Sequence, residues 1–244
     1  MPEAEQEREP YYPVFLDIEG LTCVVVGGGA VGERKALSLL RHGARVRLIA
    51  RELTPRLAEA CSTGGIVFAG REYNRAHLQG ASLVFAATSD TVLNRTISGH
   101  ARELGVFCNM ATDPGFGSFI VPSLVKRGPI SIAISTAGLS PAIAKSLRIK
   151  LERDFGVEWE FFVHFLGELR KLLKSHNLAE QQSRRIYGEL AALPVPEWLK
   201  DGKGQESFEK ISAICVPPIR SEELRALWDH LWKRFFSSSQ PFAI

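Results

Sequence analysis

Apolar residues fall into short continuous runs in the first half of this chain and into helical spacing in the second. LTCVVV (21–26), ARVRLIA (44–50), GIVFAG (65–70), ASLVFAAT (81–88) and VFCNM (106–110) have the length and β-branched content of strands buried on both faces of a parallel sheet. Amphipathic stretches separate them. GERKALSLLRHG (32–43) stops at Gly43, Thr54-Pro55 opens a second helix as N-cap and first helical residue, and TVLNRTISGHARELG (91–105) ends on glycine. Strands and helices alternating at this spacing require parallel crossovers, so an open α/β sheet is predicted.

The rhythm changes after residue 112. DPGFGS is rich in turn residues, FIVPSLV (119–125) is short and apolar, PISIAIST (129–136) reads as a strand, and Ser140-Pro141 caps a helix running to about Phe155. From Gly156 onward the pattern is helical: VEWEFFVHFLGELRKLL, AEQQSRRIYGELAAL and EELRALWDHLWKRFF, broken by PVP (194–196), DGKGQ (201–205) and PP (217–218). Three regions are expected: 1–112, 113–155 and 156–244. FIVPSLV and PISIAIST are hard to bury within a simple α/β sheet, which points to a homodimer interface. The acidic opening MPEAEQEREP reads as a frayed tail and not a secretory leader, and Ser237 to Ser239 begin a second tail.

Composition narrows the classes. The chain has 244 residues, 45% apolar and 23% charged, ordinary for a globular protein with a real core. A net charge of +3 is too small to argue for nucleic acid, and no apolar run reaches the roughly 20 residues of a membrane helix. Cysteines 23, 61, 108 and 215 form no CxxC pair; Cys23 and Cys108, in apolar strand-like contexts, read as small buried thiols, and a reducing cytoplasm is expected. The six histidines show no metal-ligand spacing, and no metal site is predicted. His164, inside EFFVHFL, reads as a packed helix residue, with reach toward a chelation site as the alternative.

The candidate chemistry begins at VVVGGGAVGERKA (24–36). Gly27-x-Gly29-x-x-Gly32 lies between a strand and a helix, where the first glycine makes the turn and the second admits a pyrophosphate to the backbone. The third lets helix and strand pack closely. Ala30, Val31 and Gly32 would offer helix N-terminal N–H groups to phosphate. At the end of the second strand, Glu52 is the candidate for the ribose hydroxyls, and Arg51 for adenine stacking or a 2′-phosphate. Either is equally a solvated charge, so NAD and NADP both stay open. Thr88, in the loop after the fourth strand, would line the crevice, while Asp90 serves there or as a helix N-cap.

YPVFLDIEGLTCVVVGGGAVGERKA, AATSDTVLN, FCNMATDPGFGSFIVPS and ISTAGLSPAIAKSLRIKLE, taken in order, resemble the precorrin-2 dehydrogenase/sirohydrochlorin ferrochelatase module of siroheme synthase. The resemblance covers about residues 11 to 155. No tetrapyrrole methyltransferase domain follows, so a stand-alone form is expected. It implies a Rossmann domain, a dimerisation region and a helical domain, a homodimer, NAD as cofactor, and oxidation of precorrin-2 to sirohydrochlorin, with iron insertion in some members. It also implies an asparagine three residues before a functional aspartate. Asn109 matches the asparagine, but Thr112 stands at the aspartate's place and Asp113 one residue later, as a substitute acid or the start of a turn. Metal insertion is therefore expected to be weak or missing. Ser135 and Thr136 match a loop near the active site.

Precorrin-2 carries carboxylates around its rim, so its site should be basic. Residues 126–153 hold Lys126, Arg127, Lys145, Arg148, Lys150 and Arg153 against the single acid Glu152, and Arg127, Lys145 and Arg148 are the chosen substrate contacts. A solvated helix face is the alternative for each. Two other readings share the glycine turn. A nucleotide-sensing regulatory domain would not need the basic segment, and a hydroxy-acid dehydrogenase would want a His or Lys proton carrier at a strand end.

Overall fold

A computed structural model describes residues 11–110 and 112–236. The two tails read from the sequence, 1–10 and the one starting at Ser237, lie outside the described residues. The chain divides into two units, Met1–Val121 and Pro122–Ile244, where the sequence suggested three regions.

In the first unit β1 (Thr22–Val26), β2 (Arg45–Ile49), β3 (Ile66–Gly70), β4 (Leu83–Ala86) and β5 (Phe107–Met110) form one parallel sheet in the order β3-β2-β1-β4-β5. All five apolar runs become strands, three shortened by a single residue and the others by two and four. Successive residues of β1 serve opposite faces: Cys23 and Val25 pack in a core with Ala36, Leu39 and Leu57, while Val24 and Val26 pack with Ile97 and Ala101. That two-sided burial is why the strands read as unbroken apolar runs.

Three helices make the crossovers: α1 (Ala30–Arg41), α2 (Pro55–Ser62) and α3 (Thr91–Glu103). Thr54 caps α2 by accepting from the Leu57 N–H at 3.4 Å, and Asp90 caps α3 by accepting from Val92 and Leu93 at 2.9 and 3.0 Å. The link from β3 to β4 carries only a short 3₁₀ turn, Arg75–Leu78. The strand order reverses between β1 and β4. The carboxyl ends of those two strands therefore border the crevice where ligands bind in sheets of this kind.

The second unit opens with the antiparallel pair β6 (Ser123–Arg127) and β7 (Ile130–Ile134), on which α4 (Pro141–Asp154) packs. Ser140 caps α4 through Ile143 N–H at 3.3 Å. The apolar stretch FIVPSLV is divided between the units. Its Phe119 meets Phe85 of β4 edge-on at 5.4 Å, and only its last residues enter β6.

Five further helices follow: α5 (Val157–Ser175), α6 (Glu180–Ala191), α7 (Val195–Lys200), α8 (Gly204–Cys215) and α9 (Ser221–Phe236). Phe161, Phe165 and Leu169 of α5 bury against Trp228 and Leu231 of α9 in one aromatic-rich core. Two of these helices differ from the sequence expectation. PVP opens α7 as well as ending α6, because Pro196 sits in a first turn where its missing N–H costs nothing. GQESFEKISAIC forms α8, burying Phe208, Ile211 and Cys215 at helical spacing.

Candidate active site

The glycine turn divides into packed and open positions. Gly27 has φ +122°, and a Cβ built on it would lie 2.4 Å from the Ala87 carbonyl oxygen. Gly28 is pressed on the Glu52 carbonyl, and a Cβ on Gly32 would lie within 1.9 Å of the Gly27 carbonyl oxygen. These three let backbones approach one another. At Gly29 a Cβ would meet nothing within 4 Å. Gly29 is the N-cap of α1 with extended backbone and no side-chain cap, and Ala30 and Val31 beside it are exposed. The first N–H groups of the helix are thus presented outward, the arrangement that suits a phosphate. α1 begins at Ala30, two residues earlier than expected, because helix geometry starts as soon as the extended N-cap is passed.

Arg51 and Glu52 follow β2 and are both exposed. Arg51 lies 4.0 Å from Glu72 with both side chains more than four-fifths exposed, a pairing of little energetic weight. The Glu52 backbone is fixed under Gly28, so its side chain stands at the edge of the turn.

Thr88 follows β4, and its neighbours include a residue that sequence reasoning passed over. Asn94, on α3 and fully buried, accepts from the Thr88 N–H at 3.2 Å and from the Thr88 hydroxyl at 2.7 Å. Its amide nitrogen donates to the Thr88 carbonyl at 3.0 Å and to the Thr112 hydroxyl oxygen at 3.3 Å. AATSDTVLN contains Asn94, but one more polar residue on a helix carries no signal that it is buried.

The loop after β5 is closed at its base. Ser118 accepts from the Cys108 N–H at 2.7 Å and returns its own N–H to the Cys108 carbonyl at 2.8 Å, while the buried Asn109 donates to the Phe119 carbonyl at 3.1 Å. Asn109 thus holds the loop that carries Thr112 and Asp113. The half-exposed Asp113 carboxylate lies 3.7 Å from Arg95, whose guanidinium covers the Phe116 ring at 4.5 Å.

The residues expected to bind substrate lie in the second unit. Ser135 accepts from the Ala137 N–H at 3.0 Å and Thr136 from the Ser140 N–H at 3.1 Å, within a tight loop where Ala137 has φ +52°. Each hydroxyl, as an acceptor here, keeps its own proton to donate. Lys145 is exposed on α4, and Arg148 pairs with Glu152 one turn on. Arg127 departs from expectation. Its Nε donates to the Phe155 carbonyl at 2.8 Å, and its terminal nitrogens to the carbonyls of Glu152 at 2.9 Å and Lys126 at 3.0 Å. The guanidinium caps the end of α4, so its fork is committed to the fold and not offered to a carboxylate.

Burial pushes the Cys23 thiol up to about 11 and the Cys215 thiol up to about 12, and raises Cys108 as well. All four cysteines are free, and these three are inert core groups. His164 is partly buried on α5 and lies beside Phe235, ring centres 5.3 Å apart. Among the described residues no group of three His, Cys, Asp or Glu side chains is placed to hold a metal ion, and no helix is long and apolar enough to cross a membrane.

Residues 14–123 match the NAD(P)-binding family model, and residues 127–154 match the model described as the sirohaem biosynthesis protein central region. The chain is 36% identical over 199 residues to the siroheme synthase of Nitrosospira multiformis, covering 80% of this chain and 42% of that protein. It is 33% identical over 219 residues to the siroheme synthase of Nitrosomonas eutropha, covering 86% and 45%. It thus spans less than half the length of these relatives. Among solved structures, SirC, precorrin-2 dehydrogenase, shares its fold at a TM-score of 0.70 and 24% identity, over 83% of this chain and 100% of that one. With both models matched in order, and relatives of one name aligned across most of its length, the chain belongs to the siroheme synthase family, in the part that joins an NAD(P)-binding domain to the central region.

Proposed function

We propose that this chain oxidises precorrin-2 to sirohydrochlorin with NAD, a step toward siroheme or cobalamin. The observation that carries the reading is the open position at Gly29, beside uncapped helix N–H groups, at the strand-order reversal of a chain in the siroheme synthase family. SirC, whose fold the chain shares, is named for the same oxidation. NAD, when bound, supplies the hydride acceptor. Gly29 leaves room for the pyrophosphate, Ala30, Val31 and Gly32 donate N–H bonds to it, and Glu52 and Arg51 meet the ribose end. Loss of the hydride is matched by loss of a proton from the macrocycle. Asp113 accepts that proton, with Thr112 beside it and Asn109 holding the loop in place.

Ser135, Thr136, Lys145 and Arg148 are assigned to the substrate carboxylates, and Arg127 supports them by holding α4. Metal insertion is weak or missing, since Thr112 replaces the acid expected there. Leu139, Ile143 and Leu147 are exposed at 91%, 54% and 42% and spaced four residues apart. That apolar line on and just before α4 supports a homodimer built on the second unit. Four unpaired cysteines suit the cytoplasm.

The test is to mix the protein with precorrin-2 and NAD and follow the spectrum of sirohydrochlorin together with NADH. No enzyme-dependent NADH would overturn the activity. Light scattering that gives only the 27.0 kDa monomer at micromolar concentration would overturn the dimer.

A further inference from the structure

Asn94 has four hydrogen-bonding valences, two lone pairs on Oδ1 and two protons on Nδ2. All four are filled, three by Thr88 and the fourth by Thr112. Its orientation is fixed without ambiguity, because a backbone N–H can only donate to Oδ1 and a backbone carbonyl can only accept from Nδ2. Thr88 in turn abuts the glycine turn: a Cβ on Gly27 would come within 3.0 Å of the Thr88 nitrogen. Gly27 thus packs against Thr88, and hydrogen bonds run on from Thr88 through Asn94 to Thr112. Gly27 belongs to the turn proposed to hold the pyrophosphate, and Asp113 follows Thr112 in the chain.

We infer that Asn94 is a positioning residue that couples the cofactor turn to the loop after β5, so that cofactor binding sets where Thr112 and Asp113 stand. The inference rests on the proposed NAD site. The bonds to Thr88 are 2.7 to 3.2 Å and the bond to Thr112 is 3.3 Å. Three bonds hold Asn94 to Thr88 and one holds it to Thr112, so the Thr112 end is the less restrained of the two. Since Nδ2 cannot accept, Thr112 takes this bond as acceptor and keeps its own proton to donate outward. Fully buried polar groups are costly to leave unpaired, so Asn94 cannot release Thr112 without replacing it.

The experiment is hydrogen exchange of the amides in 112–118, with and without NAD, in the full chain. Alongside it, NAD affinity is measured by calorimetry. The parent and Thr112→Ser, which keeps the acceptor, should show NAD slowing exchange by about fivefold or more, the lower end of ordinary site-to-site coupling. Thr112→Val should lose that slowing and lose NAD affinity by the same factor, because such coupling is reciprocal. Asn94→Ala should match it if it folds. Thr112 is exposed, so its variants keep the test sound if Asn94→Ala does not fold. NAD protection in Thr112→Val equal to the parent's overturns the inference, as does a parent that binds NAD with no protection of the loop. A parent that binds no NAD instead overturns the proposed function, and the inference falls with it.

Discussion

The ammonium of Lys35 stands 5.6 Å from the centre of the Phe85 ring, and no carboxylate pairs with it among the described residues. Phe85 is buried in β4 and Phe119 closes over it edge-on, so the amine of α1 is held against aromatic carbon. Burial, with Arg34 next in the chain adding repulsion, lowers the Lys35 pKa from 10.5 to about 8. The cation–π contact offsets only part of that cost.

Replacing this charge should stabilise the fold in a pH-dependent way. Between about pH 8 and 10.5 the folded amine is neutral while the unfolded one is protonated, so stability rises with pH there. Below that window the folded protein carries the full cost of the buried charge. Lys35→Met should therefore be more stable than the parent by about 1–3 kcal/mol at pH 7, with the gap closing by pH 10.5. Urea unfolding at both pH values checks it. A gap that widens with pH would contradict the assigned environment.

The glycine turn predicts opposite outcomes at neighbouring positions. Gly29→Val should keep the parent's melting temperature, since nothing in the protein meets its Cβ, and should lose NAD binding. Gly32→Ala should cost about 1–3 kcal/mol or more, because its Cβ would collide with the Gly27 carbonyl. Thermal melts with and without NAD separate the two. A folded Gly29→Val protein with unchanged NAD affinity would remove the pyrophosphate from this turn.

What could be read in advance follows from where each signal is written. The five strands, and the caps Thr54, Asp90 and Ser140, depend on residues within a turn of one another, so local pattern reveals them. Asn94 and Arg127 depend on partners brought close only by folding: Asn94 meets Thr112 across two elements, and Arg127 meets Phe155 across β7 and α4. Arg127 looked like a carboxylate ligand because composition counts charges without their neighbours. The division of FIVPSLV has the same origin, since Phe119 is claimed by Phe85, which lies on a distant strand. The start of α8 is hidden because DGKGQ resembles a loop, whereas Gly204 and Gln205 already belong to the helix that buries Phe208, Ile211 and Cys215.

Arg127 should thus behave as a stability residue. Three hydrogen bonds from a charged group to carbonyls, two of them at the end of α4, predict a loss of about 1.5–3 kcal/mol in Arg127→Ala. Arg127→Lys should recover only part of it, lacking the planar fork. In the protein that stays folded, the KM for precorrin-2 should change less than the melting temperature suggests. An unchanged melting temperature with a sharply raised KM would return Arg127 to the substrate.

The last prediction concerns which acid moves the proton. Asp113 has the only side-chain carboxylate in 112–118, and Arg95, anchored on Phe116, holds it near the carboxyl end of β5. Asp113→Asn keeps the shape and removes the base, so precorrin-2 oxidation should slow by roughly 100-fold, the lower end for a lost general base, with NAD affinity little altered. Arg95→Gln frees the carboxylate without removing it, and its effect on kcat should be much smaller. Metal insertion makes a different demand, since two pyrrole protons must leave as the cation enters. With Thr112 in place of a second acid, sirohydrochlorin plus cobaltous or ferrous ion should give little above the spontaneous rate, and Thr112→Asp should raise it. Brisk insertion by the parent that is lost in Asp113→Asn would show that Asp113 serves both reactions and that Thr112 is no handicap. Equal oxidation rates in the parent and Asp113→Asn would move the proton acceptor elsewhere, leaving Asp113 to its pairing with Arg95.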